Sequence, residues 1–121
     1  MRSRLLTVMG TLALTLSGLA VSAGPAAADP ARCGGWSTPA DIFSAGGFSF
    51  GNGTAIYRGP YNDCTILGRG YTSQGIDVHC YLNNSFGNLF FYVRDTSTGV
   101  SGWSARADLN WDGTPIAPCY S

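Results

Sequence analysis

The stretch Ile76-Asp77-Val78-His79-Cys80-Tyr81-Leu82 decides the fold class. Ile76, Val78, Cys80 and Leu82 fall on one side of an extended chain, with Asp77, His79 and Tyr81 on the other. That is the period of two a half-buried β-strand requires. Outward from it, short runs with strand character alternate with turn residues. Thr54 to Tyr57 ends at Gly59-Pro60, and Thr65 to Gly70 follows. Leu89 to Arg94 lies beyond the turn Asn83-Asn84-Ser85, and Gly102 to Arg106 lies beyond the polar turn Asp95 to Gly99. No window places apolar residues at helical spacing for more than a turn. The pattern therefore predicts an all-β domain of five to six short strands, a small barrel or sandwich with minimal helix.

Both ends read differently. Arg2 and Arg4 precede an uncharged run from Leu5 to Val21, and Ala26-Ala27-Ala28 offers a small-residue cleavage site before Asp29. This is the build of a secretory signal over residues 1–28. The run is diluted by Thr7, Gly10, Thr11, Thr15, Ser17 and Gly18, so it does not suit a membrane anchor. Residues 29–53 form a Gly-rich N-terminal arm whose aromatics keep no sustained period, with one short strand expected near Phe48 to Phe50. Residues 110–121 form a C-terminal tail.

After the signal the charges are five Arg (32, 58, 69, 94, 106) against seven Asp, with no Lys or Glu anywhere. A slightly acidic domain without a basic run argues against nucleic acid or an anionic membrane as partner. The lack of Lys and Glu beside abundant Ala and Arg reads as a bacterial composition. Every Phe, Tyr and Trp lies in the exported part, which is aromatic-rich and charge-poor. The expected product is a secreted monomer, extracellular or wall-associated, free of the membrane once the signal is removed.

Four cysteines, Cys33, Cys64, Cys80 and Cys119, all follow the signal. An even count in a short exported chain favours two disulfides. No C-x-x-C pair is present, so a structural zinc site on these thiols is not expected. Of the three possible pairings, Cys33–Cys119 with Cys64–Cys80 is favoured, because one bond would join the domain's ends and the other would clip neighbouring strands. On the chain-entropy model the long loop contributes about 4 to 5 kcal/mol and the short one about 3 kcal/mol.

From Thr54 to Leu109 the ordered signals resemble a bacterial-type Src-homology-3 domain. Ile56-Tyr57-Arg58-Gly59-Pro60 leads to Ile66-Leu67-Gly68, and Gly75 precedes the alternating strand. Then come Phe90-Phe91-Tyr92-Val93-Arg94, Gly99-Val100-Ser101-Gly102-Trp103 and Leu109. The chain departs from the family at Tyr57-Arg58, where Arg-Ser is usual, at Cys64 for an aromatic, at Phe90 for a Trp and at Ser104 for an aliphatic. The resemblance implies a barrel over residues 54–109, with the tail tied by Cys119 and the two ends close together. It also sets Cys80 near Cys64 and implies surfaces that bind peptides, including cell-wall peptides.

Catalytic equipment is thin, and no catalytic residue, cofactor or metal ligand is expected. His79, the sole histidine, falls on the polar side of its strand and reads as a surface imidazole. Asp108 and Asp112, near Trp111, are the least implausible pair of acids for glycoside chemistry, yet they read as a solvated tail. The aromatics exceed what a core of this size needs. Tyr57, Tyr61 and Tyr92 are the candidate ligand-binding residues, since a tyrosine offers a flat apolar face and a polar tip, while Trp103 is assigned to the core. The expected function is a secreted, non-catalytic binding module for cell-wall or other extracellular peptide. The alternative is a protease inhibitor presenting the loop Tyr61 to Thr65, clipped by Cys64.

Overall fold

The five strands expected between Thr54 and Arg106 are all paired antiparallel, and the pairing explains which side chains are buried. The computed structural model describes residues 28–42 and 46–120, so the export-signal reading lies almost wholly outside the described residues. The strands are β1 (Phe48–Phe50), β2 (Thr54–Tyr57), β3 (Ile66–Gly70), β4 (Ile76–Asn83), β5 (Leu89–Asp95), β6 (Ser101–Ala105) and β7 (Leu109–Trp111). Among the described residues the remaining regular structure is two 3-10 turns, Ala31–Cys33 and Arg106–Asp108. The domain is all-β, as expected.

Strands β3-β2-β6-β5-β4 form one antiparallel sheet, and β1-β7 form a two-stranded ribbon. The edge strands β3 and β4 are joined directly by residues 71–75, a turn in which the Gln74 N–H donates to the Tyr71 carbonyl at 2.9 Å. Laid flat, five strands would hold those edges about 19 Å apart at roughly 4.8 Å per step. A link folded into a turn falls short of that span, so the sheet curls until its two edges approach. Pairing does not run all the way round: among the described residues there are two sheets and no closed barrel.

Strand β5 is the centre of the molecule. Phe90, Phe91, Tyr92 and Val93 are buried in succession, which requires cover on both faces of the sheet. On the inner face Phe91 and Val93 join Phe50, Ile56, Val78 and Leu109, with Phe48, Tyr81 and Trp111 packed against them. The ribbon β1-β7 supplies that cover. Gly70 lets it approach, because a Cβ there would lie 2.3 Å from the Phe50 ring. On the outer face Phe90 and Tyr92 join Cys80, Trp103 and Ala105, roofed by Trp36, Leu82 and Cys119. Cys80, Tyr92, Trp103 and Tyr57 are successive partners across four strands, one continuous row.

The alternation read in β4 changes phase halfway. Val78 pairs with Val93 and Cys80 with Tyr92, leaving His79 as an extra residue in a β-bulge. A bulge inserts one residue and so moves every later side chain to the opposite face. Hence Val78 and Tyr81 serve the inner layer, while Cys80 and Leu82 serve the outer. The reading that set Ile76, Val78, Cys80 and Leu82 on one face is corrected here.

The disulfide pairing is corrected too. Cys33 is bonded to Cys64 and Cys80 to Cys119, not Cys33 to Cys119 and Cys64 to Cys80. The tail runs beside β4, where the Tyr81 N–H donates to Ala117 at 3.1 Å and the Cys119 N–H to Tyr81 at 2.8 Å. That ladder sets Cys119 against Cys80. The turn Ala31–Cys33 meets the loop after β2 so closely that a Cβ on Gly59 would lie 2.7 Å from the Cys33 Cα. The two ends are nonetheless neighbours, since the Tyr120 hydroxyl donates to the Ser37 carbonyl at 2.7 Å. Among the described residues no helix is long and apolar enough to cross a membrane.

Candidate functional site

The three tyrosines singled out by sequence do not form an exposed surface. Tyr92 is 8 % exposed and lies edge-on to Trp103, ring centroids 5.2 Å apart. Tyr61 is 6 % exposed. It packs on the Cys33–Cys64 bridge, shares a 2.9 Å hydrogen bond with the Ser85 hydroxyl and lies under the Arg32 guanidinium. Both are corrected from surface to core. Tyr57 is half-buried and borders a polar recess with Asn52, Arg69 and Asp108. Burial, and then the nearby Asp108 carboxylate, push its phenol above the ordinary tyrosine range. The surplus of aromatics has a structural cause: the sheet has two buried faces rather than one.

His79 is likewise no surface imidazole; its side chain is only 12 % exposed. With Asp41 and Asp77 it brings three potential ligand atoms within 4.8 Å of one another. The other such group among the described residues, Cys33, Asp63 and Cys64, is closed to metal because both sulfurs are in the disulfide.

The concave apolar surface lies elsewhere. A groove of about 300 Å³ runs between the end of β4, β5 and the tail, walled by Tyr81, Leu89, Trp111, Pro115 and Ile116 above a floor of Phe91. Trp111 anchors it and is fixed on three sides. Its ring stacks on Phe48 at 5.8 Å with planes 11° apart, meets Phe91 edge-on at 5.3 Å, and carries the Arg106 guanidinium 5.3 Å from its centre. Its indole N–H donates to the Thr114 carbonyl at 3.0 Å. The Thr114 hydroxyl and N–H donate to Asp112, which holds that carboxyl below the ordinary aspartate range. The segment 111–114 is thus a hydrogen-bonded turn rather than a loose tail. Sequence reading counted Trp111 among the surplus aromatics but did not choose it as a binding residue. The available signal was the short run Leu109-Asn110-Trp111, whose ends both face the inner core.

The loop Tyr61 to Thr65 folds back on itself. The Tyr61 N–H donates to Gly59 at 2.8 Å, the Cys64 N–H to Tyr61 at 3.2 Å, and the Arg58 N–H to Thr65 at 2.9 Å. Asp63 at its tip pairs with Arg32. Comparison of the chain with family models, with curated proteins and with solved structures found no match.

Proposed function

We propose that this chain is an exported, non-catalytic binding module that takes an extended peptide, of cell-wall or other extracellular origin, in the groove beside Trp111. The carrying observation is that groove itself. It is a concave apolar surface of about 300 Å³ whose central aromatic is held rigid before any ligand arrives. A flat ring fixed in place loses little conformational freedom on binding, which is why such residues dominate recognition surfaces. Pro115 and Ile116 on one wall and Tyr81 and Leu89 on the other suit apolar side chains of an extended segment. The likeness of Thr54 to Leu109 to the bacterial-type Src-homology-3 family accompanies this proposal, supported by the order of strands and the curl of the sheet. The inhibitor reading stands second, because the loop it needs is pinned at both Tyr61 and Cys64, which are buried, and its exposed Asp63 is already paired with Arg32.

The test is chemical-shift mapping of the oxidised domain against solubilised cell-wall peptides and a panel of apolar extended peptides. Shifts should concentrate at Tyr81, Leu89, Trp111 and Ile116. Trp111→Ala should weaken binding at least about tenfold, in the range of a truncated interface anchor. Ile116→Ser, a milder change on the groove wall, should weaken it less, and Tyr71→Ser, outside the groove, should leave it unchanged. Shifts confined to Tyr57 and its polar recess would transfer the site there and defeat the groove assignment.

A further inference from the structure

Where the N-terminal arm crosses β4, three side chains converge in a way that packing alone does not account for. His79 Nδ1 lies 3.2 Å from the Pro39 carbonyl oxygen. A carbonyl oxygen only accepts, so Nδ1 carries the proton and donates, and in the neutral ring Nε2 presents its lone pair. Two carboxylates lie beside that nitrogen: Asp77 Oδ2 is 3.5 Å from Nε2 and Asp41 Oδ2 is 3.9 Å away. A lone pair facing two anionic oxygens is repulsive unless a cation lies among them. The ring is not free to turn away, since it is largely buried and packs 5.1 Å from the Tyr92 ring. Arg94 stands opposite Asp77 in the ladder, but no ion pair joins them.

The spacing identifies the kind of cation. A charge-assisted hydrogen bond from a protonated ring would bring nitrogen and oxygen to about 2.7 to 2.9 Å. Ligands held at about 2.0 to 2.1 Å around a tetrahedral zinc ion lie roughly 3.3 Å from one another. The 3.5 and 3.9 Å separations lie nearer the second arrangement. An imidazole nitrogen among the donors selects zinc or a related transition ion over calcium or magnesium, which prefer all-oxygen shells. A histidine whose other ring nitrogen donates to a backbone carbonyl is the usual outer arrangement of a metal-binding imidazole. The side chains of Asp41 and Asp77 are 45 % and 35 % exposed, which leaves a path for the ion and room for a water on its fourth side.

We infer that Asp41, Asp77 and His79 form a zinc-type divalent metal site that clips the N-terminal arm to β4, a third fastening on the same face as the two disulfides. The inference is independent of peptide binding beside Trp111. Sequence reading missed it because Asp77 and His79 were taken as the solvated side of a strand, and nothing in the chain's order brings Asp41 alongside.

The experiment is a calorimetric titration of the untagged, oxidised chain with zinc, followed by imidazole resonances, which belong to one residue here. Saturable one-to-one binding is expected, with the His79 ring signals shifted and hydrogen exchange slowed across residues 37–42. Asp41→Asn, Asp77→Asn and His79→Gln should each weaken binding by about tenfold or more, as loss of a ligand requires. Asp41 lies on the exposed arm, so its variant reports even if His79→Gln does not fold. Binding undiminished in Asp41→Asn, or no saturable binding at millimolar zinc, would overturn the inference.

Discussion

The inner face of the five-stranded sheet is covered by β1 and β7, strands that hydrogen-bond to each other, whereas the outer face is covered by irregular chain, the segment 29–42 and the end of the tail. The ribbon holds itself in place by backbone pairing and by Phe48, Phe50, Leu109 and Trp111 against the inner core. The arm offers one 3-10 turn, Trp36 and a few side-chain anchors. Both disulfides lie on this outer side. Covalent fastening is placed where pairing is sparse: one isolated bridge at Tyr81 beside Cys119, and a 3-10 turn at Cys33. A buried layer can thus be built from irregular chain, provided its ends are pinned.

The comparison breaks most visibly on reduction. The two bridges span sequence separations of 31 and 39, and loops of that length stabilise by about 4 kcal/mol each on the chain-entropy model. For so small a domain the sum rivals its entire net stability. Denaturant titration with and without reductant should show a loss of that order, and hydrogen exchange should accelerate first under the arm, then in β1 and β7. Uniform acceleration would erase the distinction between the faces. Next in size is Phe91→Ala, which empties the inner core where the ring is fully buried and should cost about 3 to 5 kcal/mol. Trp36→Ala on the half-buried roof should cost about 1 to 2 kcal/mol, since less apolar area is lost. Equal costs for the two would mean the outer layer is as tightly packed as the inner.

Gly70→Ala probes the seat of the ribbon. Its Cβ would press on the Phe50 ring, and overpacking of this kind costs about 1 to 3 kcal/mol. The accompanying Phe50→Leu change should restore part of the loss, read from denaturation midpoints. The smallest effect is at Asp29. Its carboxyl accepts the Thr65 hydroxyl at 2.7 Å and the Thr65 N–H at 2.8 Å, and those bonds, the hydroxyl first, hold its pKa below the ordinary value. A carboxyl depressed in the folded state contributes fully above its unfolded pKa, and that contribution disappears as pH falls through the folded one. The Thr65 amide should therefore exchange faster relative to its neighbours below about pH 4, and Asp29→Asn should remove that pH dependence without altering the inner core.

Sequence alone gave β2 to β6 to within a residue or two, because each is a short run of β-formers bounded by Gly, Pro, Asn or Asp. Four features were hidden, each for a physical reason. The bulge at His79 leaves no mark in a pattern of apolar and polar residues, yet it exchanges the faces served by Cys80 and Tyr81. The roof over Tyr92 and Trp103 comes from residues whose spacing has no period, so the outer face was taken for solvent and its tyrosines for a binding surface. Joining the domain's ends and clipping neighbouring strands favoured Cys33–Cys119 and Cys64–Cys80, but pairing is set by the tail's ladder against β4 and by the contact of Gly59 with Cys33, contacts between segments distant in sequence. The Trp111 groove was equally out of reach, since Tyr81 and Ile116 meet only after the tail has docked.

The most direct test of this two-faced arrangement is the sulfur connectivity of protein harvested oxidised. Trypsin cuts after Arg32, Arg58, Arg69, Arg94 and Arg106, which sets the four cysteines on four separate peptides. Without reductant, mass spectrometry should find residues 33–58 joined to 59–69, and 70–94 joined to 107–121. Residues 33–58 joined to 107–121, with 59–69 joined to 70–94, would contradict the fastening of arm and tail described above.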